Sequence, residues 1–285
     1  VSWVVDAFGS TEAAAEVLIA GTVCGVVGVH VVLRRLSFLS MGLAHATFPG
    51  LVLAGLLGIN LVAGALGFAA AVAVGIALLG AADRVDAGVA NGVMLSGGFA
   101  FGVVLASSSQ AYTRNITTYL VGSIATVSPT DVAISAAAGV VVLVVLALLH
   151  KELVLGAFDP GALEALGYSK VLLDVVLVAA VAITVVTALP AMGTILAVAL
   201  LVAPAATARL WTDRVGSAMA VAAVLGAGAG LIGLAISVRA DTAAGATIAL
   251  VAAAGLAISS LISPRHGVLA RRSTVPTWTS EAHPS

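Results

Sequence analysis

Apolar residues run along this chain in blocks of about twenty, with the polar residues gathered into the gaps between them. The blocks predict helices over residues 15–33, 37–59, 61–80, 89–108, 131–149, 171–189, 191–208, 216–238 and 243–262. At a rise of about 1.5 Å per residue, each is long enough to cross the hydrocarbon core of a bilayer. Inside that core no water pairs with backbone N–H and C=O groups, so a spanning chain is either a helix bundle or a closed barrel. A barrel strand alternates apolar and polar residues over about ten positions, and no segment here does. The pattern therefore predicts an all-α integral membrane protein of about nine transmembrane helices.

Composition strengthens this. Of 285 residues, 61% are hydrophobic and only 9% charged, against about 25% charged in a soluble domain. No polar stretch is long enough for a second domain. Residues 1–268 are expected to form one membrane domain that begins with a short amphipathic lead-in over 1–14, and residues 269–285 a polar, disordered tail. Val1 to Ser10 carry no basic segment, so no cleavable signal is expected there. The formal charge of −1 argues against nucleic acid as a partner, and the one cysteine, Cys24, excludes an internal disulfide.

Charge also predicts orientation, because Lys and Arg favour cytoplasmic loops. With the N-terminus outside, ten of the twelve fall on the inner side: Arg34, Arg35, Arg84, Lys151, Lys170, Arg209, Arg214, Arg265, Arg271 and Arg272. Only Arg114 and Arg239 fall outside. An N-out, C-in arrangement is expected.

Two connections are longer than a turn needs. The outer one, about 109–130, holds Tyr112 and Tyr119 and ends in Ser128-Pro129-Thr130-Asp131, with an N-cap, a proline at N1 and an acid at N3. The inner one contains Asp159 as N-cap, Pro160 at N1 and Gly167 as a C-terminal stop. A helix of about two turns, ~10 Å long, fits between them, with Leu163 and Leu166 on one side. It is too short to cross a membrane, which leaves either an interfacial connector or a docking element for a cytoplasmic partner.

Four segments together resemble the permease subunits of the ABC importers that handle zinc, manganese and iron. The first runs from Val31-Val32-Leu33-Arg34-Arg35-Leu36-Ser37 through Gly42-Leu43-Ala44-His45-Ala46 to Pro49-Gly50. The second is Lys151-Glu152-Leu153 with Phe158-Asp159-Pro160 and Ala165-Leu166-Gly167. The third is Leu201 to Arg209 around Pro204, and the fourth joins Ala244 to Ile248 with Ser263-Pro264-Arg265-His266-Gly267. The resemblance covers about residues 15–268. It implies a bacterial cytoplasmic-membrane permease that pairs with a second copy of itself, with two ATP-binding-cassette ATPase subunits below and an extracytoplasmic substrate-binding protein above. The helix at about 159–167 would be the coupling helix, with Phe158, Asp159, Pro160, Leu163, Leu166 and Gly167 meeting the ATPase. ATP would be used by the partner, since this chain has no Gly-x-x-x-x-Gly-Lys-Ser/Thr phosphate loop. The chain itself is not expected to be an enzyme, and it needs no bound cofactor beyond the metal it carries.

Ionisable residues within a membrane are costly and point to function. His45 lies about nine residues, or ~12 Å, into the second block, close to midplane, and neutral imidazole is a common metal ligand. Pro49, four residues on, has no N–H to offer the His45 carbonyl. The resemblance makes His45 a metal ligand or gate. The family usually carries an aspartate four residues before this histidine, and here that position is Met41. A thioether suits softer ions, whereas manganese favours oxygen, so a cargo other than manganese, a softer ion or a metal complex, is expected. The alternative reading of Met41 is a side chain that fills space. Met94 and Met192 are expected in the core, Glu16 in solvent, Asp174 paired with Lys170, and His30 at the inner interface. Pro190 and Gly193 permit a broken helix. The alternative cargo is haem, a siderophore or a cobalamin-like chelate. An intramembrane enzyme is a remote alternative: His45 is followed by alanine rather than the Glu of a His-Glu-x-x-His pair.

Overall fold

The computed structural model describes residues 7–80, 87–108 and 124–263. Its long elements are α1 (Thr11–Leu33), α2 (Ser37–Leu57), α3 (Leu61–Gly80), α4 (Ala87–Ser107), α5 (Pro129–Leu148), α8 (Lys170–Trp211), α9 (Val215–Ala240) and α10 (Ala244–Ile262). Two short helices, α6 (His150–Phe158) and α7 (Pro160–Ala165), join α5 to α8. Among the described residues there is no strand. Seven segments are long and apolar enough to cross a membrane, α8 supplying two of them, Lys170–Leu189 and Ala191–Trp211. Helices α3 and α4 are also apolar, over Val62–Gly75 and Asn91–Ser107. The bundle presents large aliphatic side chains outward, including Val140, Val144, Leu148, Val171, Val224 and Leu250. Water would penalise such a surface and lipid would not.

The expected helix starts are built as the sequence specifies. At α5 the Ser128 hydroxyl accepts from Asp131 N, the Asp131 carboxylate accepts from Ser128 N at 2.9 Å, and Pro129 sits at N1. Helix α1 begins at Thr11, capped by Ser10, four residues earlier than expected. That shift corrects the placement of Glu16. It is not in solvent but 1% exposed, and its Oε1 accepts from Ser135 Oγ at 2.8 Å. A helix starting at Thr11 carries Glu16 into its second turn, against α5.

Helix α1 is the central post and packs on α9, α8 and α5. Its small residues make this possible. A Cβ at Gly25 would lie 2.3 Å from the Ala222 carbonyl oxygen, and one at Gly28 would lie 1.8 Å from the Leu201 carbonyl oxygen. Lipid tails are as apolar as leucine, so helices associate in membranes through close contact of this kind. The run around Pro204 supplies the other surface, with Ala205 and Ala208 fully buried. Gly28→Leu forces α1 and α8 apart, at a cost of about 3 kcal/mol, the upper end for overpacking, because the clash is with backbone. Expression of that variant, followed by size-exclusion chromatography in detergent, is expected to yield aggregate rather than a monodisperse peak.

Helix α8 breaks at Gly193 (φ 73°, ψ 170°). That positive φ suits glycine, which has no Cβ to clash. The break that Pro190 and Gly193 permit is therefore present, and it divides α8 into segments 170–192 and 194–211.

The expected tail over 269–285 lies outside the described residues, as do Tyr112, Tyr119, Arg84, Arg114, Arg265, Arg271 and Arg272.

Candidate functional site

Two places stand out, one midway along the bundle and one at its basic end. The first is built on α2. His45 is half-buried near the middle of that helix. Its Nδ1–H donates to the Met41 carbonyl oxygen at 3.0 Å. A carbonyl can only accept, so the neutral ring carries its proton on Nδ1 and its free lone pair on Nε2, the form that ligates a cation. The Phe99 ring stands edge-on to His45, with centroids 6.1 Å apart and planes at 68°, and Phe99 in turn packs on Phe48. Helix α4 reaches this place because Gly102 lies over Phe48 and Pro49, where a Cβ would be within 2.9 Å of both side chains.

His45, Leu95, Ser96, Phe99, Thr194 and Ile195 line an open cavity of about 370 Å³. Thr194 and Ile195 directly follow the break at Gly193, so the start of the second segment lines the same cavity as the histidine. Thr194 is 1% exposed, and its Oγ1 has no hydrogen-bond partner. Met41 does not line this cavity. It lies one turn earlier on α2, 36% exposed, and reaches His45 through its backbone. Asn91 of α4, 4% exposed, is pressed against Gly42, where a Cβ would sit 2.5 Å from its Oδ1; that oxygen too is unpartnered. Thr194 and Asn91 escape sequence reading because each is one neutral polar residue in an apolar run. Met94 packs on Gly75 and Met192 is 1% exposed in the core, as expected of packing residues.

The second place is the short capped helix. The Asp159 carboxylate accepts from Ala162 N at 2.9 Å, Pro160 occupies the first turn, and Gly167 takes φ +85° after the helix ends. Leu163 and Leu166 divide their roles. Leu163 is fully buried against the bundle, whereas Leu166 is 67% and Phe158 63% exposed. One leucine anchors the helix and the other faces outward. Helix α6, which the sequence leaves as linker, sets the root of α7.

Arg34 holds that root. It forms an ion pair with Asp174 of α8, and its Nη2 donates to the Leu153 carbonyl oxygen of α6 at 3.1 Å. The expected Asp174–Lys170 pair is therefore replaced by a link across 140 positions, which helix periodicity cannot reveal. Gly156 leaves room for it: a Cβ there would lie 3.1 Å from both Arg34 Nη2 and Leu163 Cδ2.

Residues 10–263 match the model of the ABC 3 transport family. The chain belongs to that family. It is a multi-pass membrane permease, and ATP hydrolysis resides in a separate chain. Among relatives, it is 32% identical over 260 residues to the manganese transport system membrane protein MntC of Halalkalibacterium halodurans, covering 91% of this chain and 89% of that one. It is 33% identical over 255 residues to the manganese import system permease protein ScaB of Streptococcus gordonii, covering 90% and 91%. It is 31% identical over 242 residues to a probable iron transport system membrane protein of Haemophilus influenzae, covering 85% and 89%. Among solved structures, PsaBC from Streptococcus pneumoniae in complex with Fab superposes with a TM-score of 0.87 at 29% identity, covering 95% of this chain and 99% of that one.

Proposed function

We propose that this permease imports a transition-metal ion through a path that passes His45. The observation that carries this is the free Nε2 of a half-buried imidazole, facing a mid-bundle cavity beside a broken helix, in a chain of this family. Relatives named for manganese and iron support metal as the cargo class. The chain crosses the membrane nine times, α3 and α4 included, with its N-terminus outside and its C-terminus in the cytoplasm; the charge distribution supports that orientation. Two copies meet across the cavity. Ile195, at the cavity, is 60% exposed, and Val93 of α4 is 58% exposed, and a second copy covers both while bringing a second His45 and Met41. An extracytoplasmic binding protein delivers the metal from above.

At the cytoplasmic end, two ATPase subunits each receive one α7. Phe158 and Leu166 supply the contact, while Leu163, Asp159, Pro160 and Gly167 shape and anchor the helix. Affinity purification of the full-length chain from its native membranes is expected to bring down an ATP-binding-cassette ATPase. Phe158→Glu with Leu166→Glu should cut its recovery at least tenfold while the permease still folds, since both side chains are exposed. Purification that never yields an ATPase contradicts the proposal.

The donors the described residues place at the His45 cavity are neutral: an imidazole and the hydroxyls of Ser96 and Thr194, with the Met41 thioether one turn away on α2. With no carboxylate among the described residues that line the cavity, the site favours imidazole- and thioether-preferring ions over manganese. Met41→Asp adds one anionic oxygen per subunit. Uptake measured by elemental analysis of cells offered equal manganese and zinc is expected to shift toward manganese by at least tenfold. An unchanged ratio removes Met41 from selectivity and leaves it as packing.

A further inference from the structure

Burying a polar atom without a partner costs about 1–3 kcal/mol, so a cluster of such atoms points to something that joins them. Among the described residues, seven buried side-chain polar atoms lack a partner. Four of these, His30 Nε2, Arg34 Nε, His150 Nδ1 and Glu152 Oε2, lie where the end of α1 meets the start of α6. The two histidines are neighbours, with ring centroids 6.0 Å apart and planes at 79°. His30 is 1% exposed, and His150 is half-buried.

We propose that His30 and His150 form a second metal site, on the cytoplasmic side of the permease, for a divalent ion of the imidazole-preferring class, with water completing the coordination. The separation suits it. A metal lies about 2.0–2.1 Å from a ligating nitrogen, hence about 3.2 Å from the ring centroid, so two rings at a tetrahedral angle have centroids about 5.2 Å apart. From 6.0 Å, a modest rotation of the more accessible His150 ring closes the gap. Two neutral nitrogens select zinc, nickel, copper or cobalt over manganese and magnesium. Among the described residues no group of three His, Cys, Asp or Glu side chains is placed to hold a metal ion, the nearby Glu152 included, so solvent supplies the remaining ligands. The nearby Arg34 charge is paired with Asp174, which lowers its repulsion of a cation.

The site differs from the His45 path in position and in exposure. It sits at the root of α7, so an ion bound there ties α6 to α1. That consequence for coupling rests on the function proposed above, but binding itself does not.

The test uses the full-length chain in detergent with Cu²⁺ as probe, read by electron paramagnetic resonance. Wild type is expected to show a species with two nitrogen ligands that His45→Gln leaves intact. His150→Gln should weaken its affinity at least tenfold and reduce the pattern to one nitrogen, and His30→Gln should do the same. Should His30→Gln fail to fold, the half-exposed His150→Gln decides alone. Zn²⁺ should raise the Tm of wild type and not that of His150→Gln. A two-nitrogen signal that survives His150→Gln, or one that vanishes with His266→Gln/His283→Gln or with His45→Gln, overturns the proposal. Loss of metal uptake in cells with this signal intact would instead count only against the import pathway.

Discussion

His45→Ala is expected to abolish metal accumulation, at least a hundredfold below wild type, with little change in the amount of protein in the membrane. The asymmetry follows from the geometry. The ring is half-buried, and its one hydrogen bond in the structure goes to the Met41 carbonyl within the same helix. Alanine is the strongest helix former and keeps the backbone as it is, so truncation costs the fold about 1 kcal/mol. Transport loses more. Loss of an outer-shell partner of a metal ligand typically costs 10–100-fold in affinity or activity, and on the proposed path His45→Ala removes the ligand itself. Elemental analysis of cells expressing each variant, normalised to membrane protein, measures this directly. Accumulation within twofold of wild type would remove His45 from the path.

The second large effect is expected at Arg34. Arg34→Ala breaks the pair with Asp174 and removes the second donor to the Leu153 carbonyl, which keeps its place in the helix ladder of α6. Asp174 is 43% exposed, so water takes over much of its solvation and the lost ion pair contributes little. The lost hydrogen bond and the lost packing of an arginine that is 8% exposed account for most of the cost, about 1–3 kcal/mol. Tm in detergent should fall by several degrees. If α7 couples to the ATPase as proposed, import should fall further than stability, because α6 is released from α1 and α8. Arg34→Lys is expected to recover only part of the loss, since one ammonium cannot span both partners as a guanidinium fork does. Import at the wild-type rate in Arg34→Ala would show that this link has no part in coupling.

The helices were legible because the bilayer enforces them. An apolar block of sufficient length has one way to satisfy its backbone in lipid, and the expected limits of α3 and α10 lie within a residue of those observed. Caps were legible for a related reason. Ser128, Asp131, Asp159 and Pro160 act on backbone groups within three residues, so the sequence contains both partners. The residues that shape the site did not share that advantage. Asp174 finds Arg34, and Glu16 finds Ser135, across more than a hundred positions, and periodicity pairs them with nothing. Thr194 and Asn91 look ordinary until the break at Gly193 and the gap at Gly42 bring each to its place. His30 and His150 were separately visible, but only the fold sets their rings side by side. Resemblance to a family supplied what local chemistry could not, namely which histidine to weigh first.

The Glu16–Ser135 contact also bears on how the protein is made. Ser135 follows Glu16 by 119 residues, and a ribosome adding about 5–20 residues per second needs about 6–24 s to reach it. During that interval α1 has entered the membrane with a carboxyl group whose partner does not yet exist. The group sits five residues from the helix start, close enough to the headgroups to remain hydrated while it waits. Burial of the first helix is thus completed only when the fifth arrives, so the central post of the bundle is set late in biogenesis.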